Sequence, residues 1–184
     1  MRDSKYSLLI IAILFATVLI PQNSSIVSAE ESGISEEEQM LMDDMLETMY
    51  EANGIGLAAI QIGIPKRIIV MDISKDENKK EPIYFVNPVV KNKNSKKATY
   101  EEGCLSVPGQ FAEIERPNTC DVEYLDYEGK KKLLKADGLL ATCIQHEMDH
   151  LEGILFIDYL SKLKKSMIVK KLSKQKKSLE RIVV

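Results

Sequence analysis

Apolar residues recur every three or four positions early in the chain: Leu41, Met42, Met45, Leu46, Met49 and Tyr50 fall on one stripe of a 3.6-residue period. The spacing predicts an amphipathic helix whose methionine-rich face is core. Ser35, with Glu38 three residues on, makes a capping box for its start, and Asn53-Gly54 supplies its stop. A run of small residues from Gly54 to Gly63 follows, and the pattern then shortens to that of strands. Arg67 to Asp72 and Ile83 to Val90 read as strands, the second broken at Asn87-Pro88, because proline cannot donate to a sheet ladder. Ser74 to Glu81 reads as a charged loop and Lys91 to Lys97 as a basic turn. Ala98 to Glu102, Phe111 to Glu115 and Thr119 to Tyr127 are further strands, and Glu128-Gly129 turns the chain into Lys130 to Ala136. Helical spacing returns with Leu139, Leu140, Cys143, Ile144 and Leu151, capped by Asp137 and ended by Gly153. Ile154 to Ile157 reads as a short strand, and Leu160 to about Leu179 as a last helix. The fold class expected is α+β, with mostly antiparallel sheets packed around the central helix and one helix at each end.

With 184 residues, 45% of them hydrophobic, the chain can bury one domain. We divide it into an apolar N-terminal segment (1–30), a catalytic domain (31–160) and a basic tail (161–184). The net charge of −3 hides an uneven distribution. Nine acidic and no basic residues lie between Glu30 and Glu51, whereas beyond Ser161 nine Lys and Arg oppose only Glu180. Near the start, Arg2 and Lys5 precede 13 residues, Leu8 to Ile20, that are apolar apart from Thr17, and Ser28-Ala29 follows. Residues 1–29 thus resemble a secretory signal, or alternatively an apolar element packed on the domain. Thirteen residues are too few for a stable membrane span. Three cysteines in no disulfide-like spacing are read as reduced thiols.

The chemistry concentrates in His146-Glu147-Met148-Asp149-His150, which contains both histidines of the chain. At i and i+4 on a helix their Cβ atoms lie about 5–6 Å apart on one face, so two imidazoles can share one metal ion. Glu147 sits where a carboxylate reaches a water at an open coordination position without becoming a ligand, the place of a general base. A catalytic ion needs a third protein ligand, and Cys104, Cys120, Cys143 and many carboxylates are candidates. Cys143 is three residues from His146 but has the character of a small core residue. Cys104 follows a glycine at a strand end, where a bulge would turn its sulfur inward. Gln61 is the polar exception in an apolar run.

Three separated motifs in series, Gly54-Ile55-Gly56-Leu57-Ala58-Ala59-Ile60-Gln61, Glu102-Gly103-Cys104-Leu105-Ser106 and Gln145-His146-Glu147-Met148-Asp149-His150, resemble those of the peptide deformylase family. The likeness runs from about Ser35 to Lys165, while residues 1–30 lack the family's usual opening. It implies hydrolysis of the formyl group from the formyl-methionine of nascent polypeptides. It further implies Cys104, His146 and His150 as ligands, Glu147 as base, and the Gln61 side chain with the Leu105 backbone N–H as donors to the oxyanion. Ile55, Gly56, Glu102, Leu139, Thr142 and Cys143 should border a methionine pocket, with Val107, Gly109 and Phe111 in the segment that pairs with the peptide. Thr142 stands where the family often has a larger aliphatic residue, and Phe111 where it often has arginine. Asp149 matches a position that orients a neighbouring group. The cofactor implied is one divalent metal, Fe2+ in cells, with Zn2+, Ni2+ or Co2+ possible in purified protein.

Two rival classes stay open: an H-E-x-x-H metallopeptidase, and a non-catalytic domain stabilised by a metal. The basic tail suggests an arm for ribosomal RNA, since cationic segments gain affinity by releasing counterions. No DNA partner is expected. The cytoplasm is the compartment expected, because the family's substrate is made there.

Overall fold

A computed structural model describes residues 33–74 and 79–182, residues 178–182 as backbone alone. The apolar N-terminal segment, and with it the choice between a leader and a packed element, lies outside the described residues.

Helix α1 (Glu36–Glu51) begins at the expected capping box: the Glu38 amide donates to Ser35 Oγ at 3.2 Å, and the Ser35 amide donates to the Glu38 carboxylate at 3.2 Å. It ends as Asn53 takes a left-handed conformation (φ 54°), which a short polar side chain tolerates. Met42, Met45 and Met49 are fully buried against Leu57, Ala59, Ile62, Ile68, Val70 and Val86.

Seven strands follow: β1 (Gly56–Ala58), β2 (Ile68–Met71), β3 (Ile83–Lys93), β4 (Lys97–Cys104), β5 (Val107–Pro117), β6 (Thr119–Leu125) and β7 (Lys131–Asp137). A 3₁₀ turn, Ala59–Ile62, separates β1 from β2. The antiparallel order β1-β2-β3-β6-β7 forms one sheet, and β4-β5 a separate hairpin. Asn87-Pro88 does not break β3 as the sequence suggested. Asn87 adopts φ 51° and the register with β6 shifts between Val86 and Val89, so a bulge absorbs the missing proline donor and the strand continues to Lys93.

Helix α2 (Gly138–Leu151) lays Ala141 and Ile144 on Ile69, Met71, Phe85, Val122 and Ala136 of the larger sheet. Asp137 occupies the N-cap position but makes no side-chain capping bond. The start of α2 is pinned instead by the Gly138 amide on the Asn118 carbonyl (3.0 Å), and its middle by Gln145 Nε2 on the Pro117 carbonyl (2.9 Å). Leu139, near the start of α2, is 38% exposed and faces a cleft. Ile154 to Ile157 is not a strand. The Leu155 amide donates to Asp158 Oδ2 at 2.8 Å, which winds Phe156–Tyr159 into a 3₁₀ turn. Helix α3 (Lys162–Ile182) then packs Ile168, Val169 and Leu172 over Val107, Ile114, Phe156 and Ile157.

Candidate metal centre

Helix α2 passes between the sheet and the β4–β5 hairpin, and that placement carries its histidines to Cys104. One turn apart, the two imidazoles lie with ring centroids 4.9 Å apart and planes at 78°. At the tip of the hairpin the register shifts between the pairs Gly103↔Phe111 and Cys104↔Val107, the bulge expected from Gly103-Cys104. A Cβ on Gly103 would meet the Phe111 ring at 2.5 Å, so only glycine lets that ring cross. The Cys104 sulfur comes 3.1 Å from His150 Nε2. Ligand atoms of Cys104, His146 and His150 lie within 4.8 Å of one another, the only such trio among the described residues. A thiol and two imidazoles are the donor set for a divalent first-row ion with an open position. Cys143 does not join them. Its buried thiol points at the Ile55 carbonyl, 3.8 Å away, and burial pushes its pKa well up, keeping it protonated. Cys120 is buried in the sheet core.

The histidines are held from behind. His146 Nδ1 lies 2.8 Å from Glu102 Oε2, which leaves Nε2 for an ion. The Glu102 carboxylate takes two hydrogen bonds from Arg116, Nε at 2.5 Å and Nη2 at 3.0 Å. Arg116 Nη1 donates to Asp149 Oδ2 at 2.7 Å, and the Tyr159 hydroxyl donates to the same oxygen at 2.8 Å. Burial opposes the charge on Glu102, but His146 and Arg116 overcome it and hold its pKa below the usual value. At His146 burial also opposes the charge, and hydrogen bonds to Cys104 and Glu102 raise its pKa to about 10; at His150 burial, reinforced by His146, lowers it to about 3. Only a neutral imidazole ligates, so a cation held by His146 would displace one of its protons.

Glu147 is 4% exposed, and its Oε2 has no hydrogen-bond partner. Burial is the main cause of a pKa raised to about 7, against the lowering charges of His146 and Arg116. A carboxylate poised near neutrality beside a metal trio can accept and return a proton. Gly56 leaves it room: an added Cβ would lie 2.5 Å from Glu147 Oε1. Gly56→Ala should therefore push the carboxylate aside and lower kcat by about 10²-fold, as misplacement near 1 Å does. Metal analysis of the same sample should show unchanged content.

Gln61 reaches the trio from the 3₁₀ turn. Its Oε1 accepts from the Ala58 amide at 2.8 Å, and its Nε2 donates to Ser106 Oγ at 3.1 Å and faces Cys104 Sγ at 3.7 Å. Beside it opens a cleft of about 440 Å³. Ile55, Gly56, Leu105, Thr142, Cys143 and Leu139 line it, and Gly109 and Phe111 stand in its wall with Glu102. Val107 departs from the expectation. It is fully buried beneath the hairpin against Phe156 and its backbone is paired with Cys104, so it supports the site from below.

Residues 17–166 match the family model described as polypeptide deformylase. The chain belongs to the polypeptide deformylase family. It is 77% identical over 158 residues to the peptide deformylase of Pelagibacter ubique, covering 86% of this chain and 91% of that one. Among solved structures, peptide deformylase from Ehrlichia chaffeensis superposes with a TM-score of 0.75 at 40% identity, covering 84% of this chain and 91% of the other. The same organism's enzyme in complex with actinonin gives 0.72 at 43% identity, covering 82% and 90%.

Within this deformylase the donor trio, Glu147 and Gln61 were all visible in the motifs. Arg116 and Tyr159 were not, and Ser106 stood in a motif without a role. Arg116 had a signal: strand alternation puts it on the same inward face as Ile114, where a charge demands a partner.

Proposed function

We propose that this deformylase hydrolyses the N-formyl group of nascent formyl-methionyl polypeptides with Cys104, His146 and His150 as metal ligands and Glu147 as proton carrier. Release of formate follows from that hydrolysis. The observation that carries the assignment of roles is the unpartnered, buried Glu147 Oε2 beside the ligand trio. Cys104, His146 and His150 would hold a divalent ion, which when bound would supply Lewis acidity toward the formyl oxygen and lower the pKa of water. Glu147 takes the proton of the attacking water and returns it to the departing amine, leaving formate and a free methionyl N-terminus. The Gln61 side-chain amide, fixed at both ends, and the Leu105 backbone N–H meet the formyl oxygen as it gains charge. The cleft bordered by Ile55, Leu139 and Thr142 receives the methionine side chain and excludes water from it.

Fe2+ is proposed as the resident ion, with Zn2+, Ni2+ or Co2+ replacing it in purified protein, because a thiolate with two imidazoles suits all four. Chelation should abolish formate release, and a divalent ion added back should restore it. Turnover by chelated protein of verified zero metal content would contradict the ligand assignment.

We propose the cytoplasm as the compartment, since the substrate is a chain under synthesis. Among the described residues no helix is long and apolar enough to cross a membrane. Ribosome docking through α3 is the second part of the proposal, supported by a helix whose Lys164, Lys170 and Lys174 are exposed. Removing α3 would uncover Val107 and Phe156 beneath Cys104, so the test neutralises charge instead. Gln at those three lysines should leave turnover of short formyl peptides intact while weakening salt-sensitive co-sedimentation with ribosomes. Equal sedimentation at both low and high salt would remove the docking role.

A further inference from the structure

One polar group in the cleft has no use in the chemistry above. Thr142 lines the cavity and is 4% exposed, and its Oγ1 has neither a protein partner nor contact with water. Hydroxyls elsewhere in the helices satisfy themselves on the carbonyl four residues back: Thr48 Oγ1 donates to the Asp44 carbonyl at 2.7 Å, and Ser173 Oγ to the Val169 carbonyl at 2.9 Å. Thr142 does not, although it too is helical. An unmade hydrogen bond on a buried hydroxyl costs stability. The neighbouring Cys143 thiol cannot be that partner's substitute toward a ligand, because it is directed at the Ile55 carbonyl. The cleft that Thr142 shares with Ile55, Leu139 and Phe111 presents chiefly apolar surface, and the Tyr100 hydroxyl lies beside Gly138 at the start of the helix. Oγ1 itself is covered, so a turn about χ1 is what would present this spare donor to an occupant of the cleft.

On the reading that the cleft takes the methionine side chain, we propose that the Thr142 hydroxyl donates to the thioether sulfur, making Thr142 a specificity-determining residue. A thioether is a weak acceptor, and its polarisable sulfur suits a site that is otherwise apolar. Threonine in a helix divides between two χ1 rotamers, so turning the hydroxyl toward an arriving sulfur demands little rearrangement. The gain is selectivity: a side chain of equal length with a methylene in place of sulfur fills the same space but leaves the hydroxyl unpaired.

The test compares formate release from formyl-Met-Ala-Ser and formyl-norleucine-Ala-Ser by metal-loaded full-length protein, its Thr142→Val variant and its Thr142→Ser variant. The parent should prefer methionine by about 3–10-fold in kcat/KM, the range of one net hydrogen bond. In Thr142→Val, of nearly equal shape, that ratio should fall to near one, and in Thr142→Ser it should persist. Thermal melting of the ligand-free samples gives a second reading: relieved of its unpaired hydroxyl, Thr142→Val should melt about 2–4 °C higher. An unchanged methionine preference in Thr142→Val, or no preference in the parent, overturns the proposal while deformylation stands. Formate from neither peptide would instead overturn the reading of the reaction on which it rests.

Discussion

Glu147→Gln lowers kcat for formate release by about 10²–10⁴-fold, the usual worth of a positioned acid–base group, and leaves the fold and the bound metal as they are. The amide has nearly the volume of the carboxylate, and the three ligand side chains are untouched. What disappears is the group proposed to move the proton, placed by the helix one residue after His146, buried, and closely approached by Gly56 of β1. The check is single-turnover formate release with metal content measured on the same sample. Retained turnover would mean that the buried carboxylate is structural and that the proton travels elsewhere. Loss of metal together with loss of turnover would show that Glu147 maintains the trio instead of serving as base.

Arg116→Met has the second largest expected effect, and it falls on stability. Arg116 is 3% exposed and joins two carboxylates, Glu102 and Asp149. Methionine fills most of the volume but leaves both carboxylates without their counter-ion. Breaking a buried pair in this way costs about 3–5 kcal/mol. At about 2–4 °C per kcal/mol the melting temperature should fall by roughly 6–20 °C. Glu102 also loses what fixes it against His146 Nδ1, so metal affinity should weaken by about 10–100-fold, as for other groups that orient a ligand. Adding Glu102→Gln to Arg116→Met removes one stranded charge and should recover part of the melting temperature. A melting temperature unchanged from the parent would mean that solvent or another cation already neutralises this cluster.

These two residues also mark what the sequence could and could not tell. Glu147 was legible as a candidate base because its place follows from local spacing: an i, i+4 histidine pair with a carboxylate between them needs only a helix to be meaningful. The methionine stripe of α1 and its capping box were legible for the same reason. Cys104 and Gln61 became readable through motif order, and the structure brings Cys104 to the two histidines and Gln61 beside it. Arg116 is paired across 14 residues with Glu102 and across 33 with Asp149, contacts that no local period encodes. The bulge at Asn87 and the turn at Phe156–Tyr159 were misread because proline and β-branched residues give the same local signal in several settings. A hydrogen bond decided each: Asn87 N to the Arg67 carbonyl across the sheet, and Leu155 N to the Asp158 carboxylate three residues on. Leu139 lines the cleft as its motif position implied, whereas Val107 lies beneath it, because hairpin register decides which residues open onto a cavity. Thr142 could be named as a pocket residue from its motif position, but its unpaired hydroxyl is visible only once its surroundings are known.

The most direct measurement is product analysis after incubating formyl-Met-Ala-Ser with protein purified anaerobically and loaded with Fe2+. Formate and Met-Ala-Ser in equal amounts, with the internal peptide bonds intact, is the result expected of a deformylase with this centre. Cleavage of a Met-Ala or Ala-Ser bond without formate, by protein whose metal content is confirmed, would contradict it and point to a metallopeptidase.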